Sequence, residues 1–249
     1  MSQHDDPAEG IVAARQDGKK HLLLAASGSV ATIKIPEIVQ RLAYHSNLSI
    51  RIVLTESSQR FLAGQSQEQP ALSAVQQLLN VDAVYGDEAE WARPWTRGAG
   101  ILHIELRRWA DILVVAPLSA NTLAKIVNGL SDNLLLSCVR AWDTEGSIDG
   151  QRKRIVVCPA MNTAMWRHPI TAKQLRVLKE DWGVQDASPS GPASSTAIGS
   201  EPSQTGWFEV VQPMSKTLAC GDTGDGAMAS VDEIAGRDPP QSTFLVCPC

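Results

Sequence analysis

No apolar run in this sequence is long enough to cross a membrane: segments such as His21–Ala26 and Ile112–Ala116 fall far short of the roughly 18 residues a spanning helix needs. Basic residues are in deficit as well. With 22 Lys and Arg against 27 Asp and Glu, the formal net charge is −5, which removes any electrostatic reason to expect nucleic acid or an anionic membrane as partner. A small molecule or another protein is expected instead. Cysteine is scarce: Cys138, Cys158, Cys220, Cys247 and Cys249 are odd in number and lack paired spacing, so a disulfide framework is excluded and the reduced thiols of a cytoplasmic chain are expected. Cys138 and Cys158 lie in apolar segments and read as small buried hydrophobes. No His or Cys cluster accompanies Cys247-Pro248-Cys249, so no metal site is expected there. Residues 1–20 are polar, begin with an acidic cluster and lack the apolar stretch of a signal peptide, and they read as a disordered tail.

What is present fits one α/β domain, since 249 residues with 43% apolar content can enclose a substantial core. Four short runs rich in β-branched residues, His21–Ala26, Ser49–Leu54, Ile112–Ala116 and Arg154–Cys158, read as strands. Helical periodicity is expected over Ala31–Ala43, Ile101–Trp109, Asn121–Val127, Asn133–Trp142 and Thr171–Trp182, with Pro36 tolerable only near a first turn. This alternation predicts a flavodoxin- or Rossmann-like open parallel sheet with helices on both faces. The expected domain spans residues 21–236. Residues 188–204, rich in Ser, Pro, Gly and Thr, read as a flexible insert, Gly64–Gln69 as a surface insertion, and residues 237–249 as a C-terminal tail.

Three loops share one edge of such a sheet. Ser27-Gly28-Ser29-Val30 follows the first strand, and its backbone N–H groups and hydroxyls could receive a phosphate or simply form a tight strand-to-helix turn. It is neither a dinucleotide fingerprint nor a Walker loop. Thr55-Glu56-Ser57-Ser58 follows the second strand and Pro117-Leu118-Ser119-Ala120-Asn121-Thr122 the third, each able to bind a ligand or merely to cap a helix. The fourth strand leads into Pro159-Ala160-Met161-Asn162-Thr163-Ala164-Met165-Trp166. Here the Asn162 amide can donate to a carboxylate or stabilise a turn.

That last segment resembles the substrate-binding motif of the homo-oligomeric flavin-containing Cys decarboxylases, which include the phosphopantothenoylcysteine and lantibiotic-peptide decarboxylases. The likeness extends through Leu102–Asp111, Ala116–Lys125, Ser131–Leu135, Arg140–Asp143 and Leu218–Ala229, covering most of the chain from about His21 to Ala229. By position it implies His103, Asn162 and Cys220 as catalytic residues. It implies FMN held by Gly28, Ser29, Val30, Thr55, Ser58, Ser119, Ala120, Asn121, Thr122 and Ala160, and substrate held by Asn162, Met165, Leu218, Ala219 and Met228. The implied reaction is FMN-dependent decarboxylation of 4′-phosphopantothenoylcysteine to 4′-phosphopantetheine in coenzyme A synthesis, by a homotrimer with flavin near the subunit contacts. The alternative is a flavin-binding regulatory subunit that inhibits a protein phosphatase.

Loss of carbon dioxide from a cysteine-derived carboxylate leaves electrons on a carbon with no carbonyl to receive them, so an electron sink is required. The resemblance implies oxidation of the substrate to a thioaldehyde, decarboxylation to an enethiol and re-reduction. Asn162 would hold the carboxylate. Cys220 would supply a proton, a role suited to a thiol whose ordinary pKa is about 8.5. Gly221, Gly224 and Gly226 suggest a flap over the substrate. His103, at a helix start where a positive charge is disfavoured, could be a neutral base or could only orient the substrate. The chain departs from the family at Lys216-Thr217, where a basic pair is common, and at Asp225, which adds negative charge to the flap.

Overall fold

A computed structural model describes residues 7–92, 94–185, 205–217 and 223–236. Its strands are β1 (Lys20–Ala26), β2 (Leu48–Leu54), β3 (Ala63–Ser66), β4 (Gln69–Ala71), β5 (Val81–Tyr85), β6 (Ile112–Leu118), β7 (Arg154–Pro159), β8 (Phe208–Val210), β9 (Met214–Thr217) and β10 (Thr223–Ala227). The α-helices are α1 (Pro7–Ala13), α2 (Ile35–Leu42), α3 (Glu56–Gln59), α4 (Leu72–Gln76), α5 (Leu102–Trp109), α6 (Ala120–Val127), α7 (Leu134–Arg140), α8 (Thr163–Arg167), α9 (Pro169–Arg176) and α10 (Val231–Ala235).

Six strands form one parallel sheet in the order β5-β2-β1-β6-β7-β8. Side chains alternate between its two faces, as the strand period of two requires. Leu23 and Ala25 of β1 join Val53, Leu113, Val115, Ile155 and Val157 in one core layer. Leu22, Leu24 and Ala26 join Ile50, Ile52, Leu54, Val156 and Cys158 in the other. Burial on both sides explains why these strands read as continuous apolar runs. Helices α5 and α7 complete the first layer, α2 and α10 the second. Pro36 sits in the first turn of α2, behind the 3₁₀ turn Val30–Lys34, so its missing N–H leaves no gap in the helix.

One expectation needs correction. Residues 7–16 are not a disordered tail, because α1 and the 3₁₀ turn Ala14–Gln16 pack on α5, with Ile11 fully buried and Arg15 ion-paired to Glu105. A buried aliphatic side chain supplies what the polar composition had concealed. Residues 64–69 lie at the surface as expected, and there β3 and β4 pair as an antiparallel hairpin apart from the main sheet. The insert 188–204 and the tail 237–249 lie outside the described residues.

Candidate active site

Chain order reverses between β1 and β6: from β1 the sheet grows outward through β2 and β5, and from β6 through β7 and β8. In an open parallel sheet this reversal leaves a crevice at the carboxyl ends of the strands, where ligands bind. Ser27, fully buried, spans it. Its hydroxyl donates to the Pro117 carbonyl at 3.0 Å and accepts the Ser119 N–H at 2.8 Å. The peptide bond before Pro117 is cis.

The hydroxyl residues at this edge act first as caps. Thr55 Oγ1 accepts the Ser58 N–H at 3.3 Å at the start of α3, and the Ser58 hydroxyl donates to the Thr55 carbonyl at 2.8 Å. Ser119 Oγ accepts the Thr122 N–H at 3.3 Å at the start of α6. The loops approach each other closely: a Cβ on Gly28 would lie 2.4 Å from Ser57 Oγ, so only glycine fits. A carboxylate then ties this edge to the next layer. Asp87 accepts the Glu56 N–H at 3.0 Å and the Leu134 N–H at 3.3 Å, joining the starts of α3 and α7. Burial pushes its pKa above the usual carboxylate range, against the opposing pull of these N–H groups.

A cavity of about 560 Å³ opens beside the crevice, with Ser29, Val30, Ala160, Asn162, Met214 and Met228 among its lining residues. Asn162 caps a helix there. Its Oδ1 accepts the Met165 N–H at 2.8 Å, capping α8, and this contact orients the amide, whose Nδ2 is a donor. Opposite stands the hairpin β9–β10, tied in by the Met161 N–H donating to the Gly226 carbonyl at 3.0 Å. Gly226 has φ +103°, and a Cβ would come within 2.6 Å of the Met161 carbonyl. One on Gly224 would come within 2.5 Å of Thr163 Oγ1. Close approach therefore accounts for both glycines. Asp225 pairs with Arg167 at 3.2 Å, so the charge that the sequence adds to this hairpin is balanced by its neighbour.

The cavity thus gathers Ser29, Val30, Ala160, Asn162 and Met228. Thr55, Ser58 and Ser119–Thr122 share the sheet edge without lining it, and Met165 is half exposed on α8, outside the lining. His103 is also outside. It lies at the start of α5 with its Nδ1 2.7 Å from Glu90, a residue that sequence reasoning missed. Behind it the Cys138 thiol, its pKa raised by burial and further by the Glu90 charge, contacts the His103 carbonyl at 3.8 Å. Leu218, Ala219 and Cys220 lie outside the described residues. Among the described residues no group of His, Cys, Asp and Glu could hold a metal ion, and no helix is long and apolar enough to cross a membrane.

A doubly covered parallel sheet with a hydroxyl-edged crevice at its reversal is an architecture of flavoproteins, and residues 11–236 match the Flavoprotein family model: the chain belongs to that family. Its relatives are more specific. The chain is 42% identical over 212 residues to phosphopantothenoylcysteine decarboxylase of Arabidopsis thaliana, covering 85% of this chain and 79% of the relative. It is 36% identical over 222 residues to the mouse (Mus musculus) protein of the same name, covering 89% and 87%. A solved structure of a cysteine-to-serine mutant of PPC decarboxylase, complexed with pantothenoylaminoethenethiol, superposes with a TM-score of 0.65 at 39% identity, covering 88% of this chain and 95% of that one.

Proposed function

We propose that this chain is an FMN-dependent carboxy-lyase that converts 4′-phosphopantothenoylcysteine to 4′-phosphopantetheine and carbon dioxide in coenzyme A synthesis. One observation carries the reading: Asn162 lines a cavity at the sheet edge with its amide capping α8, in a chain that is 36% and 42% identical to decarboxylases of that name. The residues present fit a flavin phosphate and ring. Gly28 leaves its loop without a Cβ, hydroxyls edge the crevice, and Val30, Met161 and Met228 give the cavity apolar walls. Gly28, Ser29, Val30, Thr55, Ser58, Ser119, Ala120, Asn121, Thr122 and Ala160 would hold the cofactor. When bound, FMN supplies a reversible two-electron acceptor for the thiol-bearing carbon.

The protein's own residues do the remaining work. Asn162 Nδ2 donates to the substrate carboxylate, and Cys220 holds the proton that completes the product. His103 does not line the cavity of its own chain, which supports a site shared between subunits, with a neighbouring copy in the homotrimer that the family resemblance implies bringing His103 to Asn162.

The test is to incubate the yellow protein with 4′-phosphopantothenoylcysteine and follow carbon dioxide release, with Cys220→Ser as the control. Asn162→Asp keeps the helix cap but replaces a donor with an anion, so a fall of about 100-fold in kcat/KM is expected with flavin absorbance retained. Colourless protein that cannot be reconstituted with FMN would sink the reading. So would inhibition of a protein phosphatase without turnover, which would favour a regulatory subunit.

A further inference from the structure

We propose that Glu90 is the positioning residue for His103, locking the imidazole so that Nε2 is the nitrogen offered to the substrate. The inference rests on the reading of His103 as an active-site group. The Glu90 side chain is only 4% exposed although it follows an acidic surface turn and precedes Trp91, which is 71% exposed. A carboxylate buried to that degree needs partners. Both come from one residue: Oε2 accepts the His103 backbone N–H at 3.1 Å, and Oε1 lies 2.7 Å from His103 Nδ1.

An ionised carboxylate only accepts hydrogen bonds, so Nδ1 must carry a hydrogen. In the neutral ring the bare nitrogen is then Nε2, which has no hydrogen-bond partner among the described residues, on a side chain 21% exposed. Turning the ring over would place a C–H against the carboxylate and forfeit the bond. The location reinforces the arrangement, because the first turn of α5 is where the helix macrodipole favours negative charge. Glu90 therefore fixes both the tautomer and the orientation of the imidazole. A proton taken from a substrate thiol breaks the S–H bond, forms Nε2–H, and leaves an imidazolium whose charge faces Glu90.

Nitrogen-15 NMR of the FMN-loaded protein at mildly alkaline pH reads the tautomer directly, and a proton on Nδ1 with bare Nε2 is expected. Glu90→Gln offers one acceptor and one NH₂ group. If its oxygen keeps the helix N–H, its NH₂ group faces Nδ1 and drives the ring to the opposite tautomer. A fall in kcat of about 10- to 100-fold with KM little changed is expected, together with the tautomer shift and partial recovery in Glu90→Asp. A ring protonated on Nε2 in the unaltered protein overturns the inference without any variant, which covers the case in which Glu90→Gln fails to fold. Loss of turnover in His103→Gln alongside unchanged kcat in Glu90→Gln overturns the Glu90 role alone. Full turnover in His103→Gln overturns the reading of His103 and this inference with it.

Discussion

Asp143 organises the connection between α7 and β7 with a single carboxylate. It accepts the N–H groups of Gly146, Ile148 and Asp149 at 3.0, 2.7 and 2.7 Å. Burial alone would raise its pKa, but the N–H groups of Asp149, Ile148, Gly146 and Glu145 outweigh burial and hold it below the usual carboxylate range. The folded-state value is thus lower than the unfolded one, about 3.9. The resulting stability is fully present above that pH and is lost as pH falls through the lowered folded-state value. Asp143→Asn is expected to reduce the unfolding free energy by about 1–2 kcal/mol at neutral pH, because hydrogen bonds to charge are lost. In urea titrations across an acid series, the gap from the unaltered protein should narrow below about pH 4. The sequence revealed such residues unevenly. Asn162 stood out because it follows a strand and precedes a helix, whereas Asp87 and Glu90 sit in Asp87-Glu88-Ala89-Glu90, a run that reads as solvated surface. Their partners lie far away in sequence, 31 and 47 positions from Asp87 and 13 from Glu90.

Among the elements, the central strands were legible because burial on both faces favours β-branched and aliphatic residues along most of their length. The outer ones were not. Strand β5 is half exposed and carries Asp82, β8 has three residues, and Ala-Gly-Gln-Ser in β3 has no β signal, since it is exposed throughout. Even β2 contains a charge: Arg51 is buried, its guanidinium lying 5.0 Å from the centroid of the Trp109 ring and donating to the Tyr85 hydroxyl at 2.5 Å. Arg51 also reaches the Gly10 carbonyl of α1 at 3.5 Å, so that helix is joined to the sheet through polar as well as apolar contacts. Ile11→Ala should therefore lower stability by about 2–4 kcal/mol, the range for truncating a buried aliphatic side chain. Denaturant unfolding would measure this, and an effect within about 0.5 kcal/mol, typical of exposed sites, would mean that α1 does not contribute to the core.

For the whole molecule, the placement of His103 outside the cavity that Asn162 lines makes oligomerisation part of the proposed chemistry. Light scattering should give three times the 26.8 kDa chain mass. Chains bearing His103→Gln and chains bearing Asn162→Asp should each be strongly impaired alone. In a shared-site trimer assembled at random from equal amounts of both, about a quarter of the sites would pair two unaltered residues and regain activity. No recovery after verified mixing would place both groups within one chain. The composition gave no sign of this separation, because loops on one sheet edge look equivalent until their faces are known.

Ser27 joins the two halves of the sheet through one oxygen, giving a hydrogen bond to Pro117 and receiving one from Ser119. That oxygen acts as a rivet at the mouth of the crevice, setting the gauge between the arms that diverge from it. On the proposed reading, the span that a cofactor would bridge is set at this contact, in the middle of the sheet and away from its outer margins.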